Sequence, residues 1–178
     1  MKNLSRVGTL IAGIVILLPL ISCSVLRPRP AMPVPTLRAG QYAQQVVIRR
    51  DSWGIPHIFG KTDNAATFGL AYAHAEDDFP LIQASLVAAR GKLALLHLAK
   101  ISIINDYLVQ LLGIPEQVDR QYAAMPPEFR EFLDAYAEGI NYYANFHPED
   151  ADSRFFPVSG KDIVAGFIPT TTLSEINS

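Results

Sequence analysis

Cysteine is nearly absent: Cys23 stands alone in 178 residues, so no disulfide can form within the chain. Charge is scarce too. Only 18% of residues are charged, and 15 basic against 17 acidic side chains leave a net charge of −2. Without a basic excess there is no electrostatic footprint for nucleic acid, and no nucleic-acid partner is expected. Histidine occurs four times, and none lies four residues from another, which excludes the paired-histidine helix of HExxH zinc sites. No internal repeat occurs, and the one biased tract is a proline-rich stretch near the N-terminus. What remains has room for one domain with a real core.

Apolar runs are short as well. The longest, Val7 to Ile21, follows a small basic patch of Lys2 and Arg6 and ends at "LISC", residues 20–23. It falls below the roughly 20 residues that span a bilayer comfortably, and it has the layout of an export signal. Leu-Ile-Ser-Cys resembles a bacterial lipobox, in which the cysteine takes up lipid and becomes the new N-terminus. An uncleaved anchor or a plain secretory signal with Cys23 incidental are the alternatives. The expected organisation is therefore a lipoprotein signal peptide over 1–22, with Cys23 as the site of membrane-lipid attachment and export as the destination. Losing Lys2 and Arg6 takes the charge to −4. "RPRPAMPVP" at 27–35 cannot form a helix, and a proline-rich tether is expected over 23–43.

Beyond the tether, "QQVVIRRDSWGIPHIFG" at 44–60 reads as two strands around a turn, with Val46, Val47 and Ile48 in one and Ile58 and Phe59 in the other. Asp63 is a good N-cap for a helix carrying Phe68, Tyr72, Ala75 and Phe79. A second helical pattern from Phe79 to Arg90 carries Ile82, Leu86 and Ala89, and Gly91 ends it. Residues 93–112 are apolar and helical in part, with Asn105-Asp106 as an internal cap. After "MPPE", the residues Phe129, Phe132, Leu133, Tyr136, Ala137, Ile140 and Tyr143 trace one continuous helical face. "SGKDIVAGF" at 159–167 reads as a short helix starting near Asp162. A strand pair alone is marginal, so it must lie on the helices or join a sheet from another polypeptide.

"GLAYAHAEDD", residues 69–78, gathers a histidine and three carboxylates. His74 and Asp78 are four apart and share a helical face, while Glu76 points elsewhere. Asp77 and Asp78 precede Phe79-Pro80, and proline suits a first helical turn. The acids then cap a new helix at the positive end of its dipole.

Taken in order, "RDSWGIPHIFGKTDNAATFGLAYAHAEDDFPLIQ" and "AARGKLALLH" resemble the penicillin amidase family of N-terminal-nucleophile hydrolases, in the branch of aculeacin and acyl-homoserine lactone acylases. Asp51, Gly54, Pro56 and His57 carry the likeness in the turn. Gly69, Tyr72, His74, Ala75 and Asp77 carry it in the first helix, and Arg90-Gly91 after the second. "FLDAYAEGIN" at 132–141 and "DIVAGF" at 162–167 continue it. The resemblance implies an α+β fold: the mostly helical α-chain portion of an αββα hydrolase over 44–168, with a short N-terminal strand pair. It implies an amidohydrolase acting on a small acylated amine, made as a precursor that cleaves itself into α and β chains. The nucleophile is then a β-chain Ser activated by its own amine, so no catalytic residue is expected here, and a β chain is the missing partner. His74 is expected to be a buried or interfacial hydrogen-bonded histidine and His57 a turn residue.

Rival nucleophiles fail. Lipidation of Cys23 would block both its sulfur and its amine, and Thr170, Thr171, Thr172 or Ser159 would open only a stub of a β chain. The tail "IPTTTLSEINS", 168–178, departs from the branch's pattern, so 169–178 reads as an aberrant or truncated end. "SEIN" resembles a calcium-binding stretch of penicillin G amidases, which makes Glu175 a candidate metal ligand and calcium a candidate ion for a complete enzyme. One Glu is far short of calcium's six to eight oxygens, and no cofactor is expected for this chain. Two readings follow: the α-chain fragment of an exported acylase, inactive alone, or a non-catalytic lipoprotein remnant or small binding module.

Overall fold

β-branched residues in the 44–60 stretch do form a hairpin in the computed structural model, which describes residues 31–167. Strand β1 (Val46–Arg50) pairs antiparallel with β2 (Pro56–Gly60), with Ile48 opposite Ile58 and Val47 opposite Phe59. Alternation along the strands turns Val46, Ile48 and Ile58 inward and leaves Val47 and Phe59 exposed. The inward side lies on helix α2 (Asp63–Ala89), where Gly69 makes the approach possible: a Cβ there would stand 2.4 Å from Val46 Cγ2. The hairpin thus rests on a helix, which settles where its buried face goes.

Helix α2 starts one residue earlier than Asp63 suggests. Thr62 has the extended backbone of a cap, and its hydroxyl accepts from the Ala65 N–H at 3.1 Å. Asp63 is already helical and meets the positive end of the dipole. The helix runs on to Ala89 but leaves helical geometry at Asp78 (φ −151°, ψ 43°). Pro80 causes this, since it has no N–H to give and its ring crowds the preceding turn. So the acidic stretch does separate two helical segments, the second opening at Phe79-Pro80 as the proline suggests, and Asp77 turns to Arg50 at the kink between them.

Helix α5 (Pro127–Phe146) lies along α2 at close range. A Cβ on Gly139 would fall 2.4 Å from the Phe68 carbonyl oxygen, and Ala71, Ala75, Ala137 and Ala144 are buried nearby. Phe79, Ile82 and Leu86 fill the main core with Ile140, Tyr143 and Phe155. Of the seven face positions on α5, only Ala137, Ile140 and Tyr143 are fully buried; Phe129 is exposed.

A second core joins the end of α2 to α3 (Lys100–Leu111), α4 (Ile114–Ala124) and α6 (residues 160–167) through Val109, Ile114, Val118 and Val164. Gly91 adopts φ 63° and closes α2. Its N–H donates to Ala88 O and the Lys92 N–H to Val87 O, the two bonds of a Schellman end. Asn105 and Asp106 lie inside α3 and do not cap it. Asp106 instead accepts from the N–H groups of Leu93 and Ala94 at 2.7 and 2.9 Å, capping a neighbouring turn. Helix α6 begins at residue 160, with Ser159 before it and Asp162 accepting the Ser159 N–H at 2.7 Å, half of a capping box.

Upstream, 32–36 run without helix, as the prolines require, and the Asn145 side-chain amide donates to Pro33 O. Residues 37–43, read above as tether, form helix α1 (Leu37–Ala43), capped by the Thr36 hydroxyl accepting from Ala39 N at 3.0 Å. No proline follows Pro35 there, and Tyr42 meets the Phe68 ring at 5.8 Å, so a short helix has both a start and a partner. The described chain is α+β, mostly helical with one strand pair. None of its described helices is long and apolar enough to cross a membrane.

Candidate functional site

Asp51 builds the hairpin turn. Its Oδ1 accepts from the N–H groups of Trp53 and Ile55 at 2.8 and 3.0 Å, and Gly54 supplies φ 81°. His57 sits on β2, one step past the turn, with Nε2 3.3 Å from Asp51 Oδ2. Partial desolvation would raise the Asp51 pKa, but the Ile55 and Trp53 donors and His57 outweigh it and hold it below the usual range. This cluster orders a turn.

Arg50, at the end of β1, spans from the turn to the kink. It donates to Gly54 O at 2.8 Å, to Ala73 O at 3.3 Å and to Glu76 at 3.0 Å, and it pairs with Asp77 at 2.9 Å. A cation where the first segment of α2 ends also meets the negative end of its dipole. Glu76 and Asp77 are therefore occupied by a structural partner.

His74 is exposed, and its Nδ1 lies 2.7 Å from the Tyr136 hydroxyl on α5. Burial pushes the Tyr136 pKa up, so that hydroxyl stays protonated. The histidine is hydrogen-bonded as expected but not buried, because it stands on the rim of a cavity of about 270 Å³ between α2, α5 and α6. Leu81, Ile82, Leu86, Ile140, Ile163 and Phe167 supply its apolar wall, and Ser85 adds a hydroxyl to the lining. Such a groove can take an aliphatic or aromatic chain and hydrogen-bond a polar group at its edge.

Arg90 and Asp162 meet beside this wall. The guanidinium donates to both carboxylate oxygens at 2.6 and 2.8 Å, and further to Phe155 O at 2.6 Å and Pro157 O at 3.3 Å. Desolvation alone would raise the Asp162 pKa. Arg90 and the Ser159 N–H and hydroxyl override it and push the carboxyl below its ordinary value. Ser159 donates its hydroxyl to that same carboxylate at 2.8 Å, so the serine is a cap facing a poor base, not an activated nucleophile.

The sequence reading singled out Arg90 and Asp162 separately and missed that they pair; 72 positions of separation carry no periodic signal. The groove was missed for the same reason. Cys23, Thr170, Thr171, Thr172 and Glu175 lie outside the described residues. Among the described ones, His147, Glu149 and Asp150 bring their ligand atoms within 4.8 Å of one another. One imidazole and two exposed carboxylates do not fit calcium, which needs six to eight oxygens.

The sequence model of the penicillin amidase family matches residues 45–167, taking in the hairpin, the groove and the Arg90–Asp162 pair. The acyl-homoserine lactone acylase PvdQ of Pseudomonas fluorescens is 31% identical over 103 residues, 54% of this chain and 13% of its own length. The acyl-homoserine lactone acylase QuiP of Pseudomonas putida is 34% identical over 102 residues, covering 57% and 12%. The chain thus spans only about an eighth of these relatives. Among solved structures, a thermostable penicillin G acylase from Alcaligenes faecalis shares the fold, with a TM-score of 0.62 at 23% identity over 75% of each chain.

Proposed function

Because the chain belongs to the penicillin amidase family, we propose that it is the N-terminal, α-chain part of an exported acylase that hydrolyses the amide bond of an N-acylated amine. The match over residues 45–167 carries this reading. The polypeptide holding the reacting groups is a β chain, from the same precursor or made separately. Its N-terminal Ser attacks the amide carbonyl, the Ser amine takes the proton through a water, and β-chain donors hold the oxyanion. The acyl-enzyme formed as the amine leaves is then hydrolysed.

This chain contributes the apolar wall. Leu81, Ile82, Leu86, Ile140 and Ile163 offer surface on which each buried CH₂ of an acyl chain gains about 0.8 kcal/mol. The His74–Tyr136 pair closes one edge with a polar contact. Arg90 and Asp162 act at one remove, by fixing α6 against α2. Alone, the chain is expected to be inactive, since the reacting Ser, its amine and the oxyanion donors belong to the β chain in this reading.

Signal cleavage before Cys23 and lipidation of its thiol would leave the body on the outer face of a membrane, and stable attachment needs more than one acyl chain. A fatty-acid probe should label the wild type, and equal labelling of Cys23→Ala would remove the anchor from the account. The acylase reading is tested by the coding sequence that follows residue 178. An in-phase or frameshifted continuation with a Gly-Ser junction and a β-chain-like region supports it. If neither this locus nor another supplies such a chain, the molecule is a non-catalytic lipoprotein.

A further inference from the structure

Helix α3 has one face fixed inward and an unusually apolar one fixed outward. Ser102 and Val109 are buried, and the Asn105 amide donates to Ala88 O at 2.9 Å while Asp106 holds the Leu93–Ala94 turn. These polar bonds set the rotation of the helix. They leave Ile101, Ile104, Leu108 and Leu111 on the surface at 71, 51, 43 and 63% exposure. The intervals of three, four and three are those of a coiled-coil seam, and no carboxylate interrupts it.

We propose that this seam pairs antiparallel with the same seam of a second copy of the chain. Seam spacing favours a helix as the occupant, because lipid asks for none. A membrane-surface helix also has a charged opposite face, whereas the opposite face of α3 is packed into the body. Charge then chooses the orientation. Lys100 opens the helix and is the only cation on it. In an antiparallel pair its ammonium meets the carbonyl end of the partner helix, and a parallel pair would set two ammoniums side by side.

The pairing places Ile101 of one copy against Leu111 of the other, and Ile104 against Leu108. Area sets the strength. Each apolar side chain offers roughly 100 Å² when fully exposed. The seam with Leu95, Leu98 and Tyr107 then contributes on the order of 450 Å² per copy, close to the lower bound of about 1,000 Å² in total for a specific interface. An interface of that size fits a weak, transient dimer. The hairpin packs on α2 at Gly69 and α3 reaches it at Ala88, beyond the kink at Asp78, so this surface is separate from the hairpin's.

Disulfide trapping tests it in the full chain carrying Cys23→Ser. With Ile101→Cys and Leu111→Cys together, mild oxidation should convert most of the protein to a covalent dimer, and either cysteine alone should yield at least tenfold less. Adding Ile104→Lys to the pair should cut the dimer at least tenfold with the far-UV spectrum unchanged, since Ile104 is on the surface. Failure of the double variant to cross-link would overturn the proposal. So would equal cross-linking by Ile101→Cys alone, which reports a parallel or random encounter. Capture of a different polypeptide, or protection of the thiols only by added phospholipid vesicles, would also overturn it.

Discussion

Arg50 and Arg90 perform the same act at two places along α2, and they differ in where they do it. Each guanidinium gathers carboxylate and carbonyl oxygens from segments distant in sequence. Around Arg50 the partners stay wet, with Glu76 and Asp77 side chains 37 and 52% exposed. At the other site the Arg90 and Asp162 side chains are only 20 and 15% exposed, and two backbone carbonyls complete the shell. Water can replace Arg50. Nothing replaces Arg90, so the second cluster fastens α6 and the 155–158 segment to α2, and with them one wall of the groove.

The largest break should come from Arg90→Ala. It strands a mostly buried carboxylate, for which losses of about 3–5 kcal/mol are usual, and denaturant unfolding should show it if the variant folds at all. Arg90→Lys should recover part of this, because a lysine keeps the charge but cannot form the two-pronged contact.

Acid sharpens the contrast next. The Asp162 pKa is lowered in the folded chain, so its contribution is complete above the unfolded value of about 3.9 and is lost as pH falls through the folded value. Melting curves taken down through this range should steepen for the wild type and flatten for Asp162→Asn. An unchanged pH slope in Asp162→Asn would mean that another carboxylate governs the acid limit.

A smaller effect belongs to the rim of the groove. Tyr136→Phe removes one hydrogen bond to His74 and should cost about 0.5–1.5 kcal/mol, with the apolar wall left in place. Smallest of all should be Arg50→Ala, whose effect on melting should shrink further in molar salt, where exposed charges are screened. A loss there as large as that of Arg90→Ala would erase the distinction between the two clusters.

What the sequence made legible was local. The hairpin followed from β-branched residues around Asp51 and Gly54, and α5 from its long apolar spacing, because both patterns repeat within a few residues. Neighbouring cap candidates were harder: Thr62 and Asp63 are both good, and only the backbone angles separate them. Asn105-Asp106 misled because a capping side chain can serve another segment, here the turn at 93–95. Helix α1 was hidden by the prolines before it. The order of short motifs pointed to the family, yet the contact between two of them, at Arg90 and Asp162, exists only in the fold.

If this chain forms the body of an acylase, its reacting groups sit on another chain. The direct measurement is amide hydrolysis of an N-acyl-homoserine lactone by the purified chain, alone and with a separately produced β chain from a close relative. No turnover is expected from the chain alone, because a missing nucleophile and oxyanion site remove many orders of magnitude, and turnover is expected when the β chain is added. Hydrolysis by the chain alone, unaffected by any Ser or Thr substitution but abolished by His74→Ala, would contradict it and put the chemistry in the stretch around the kink.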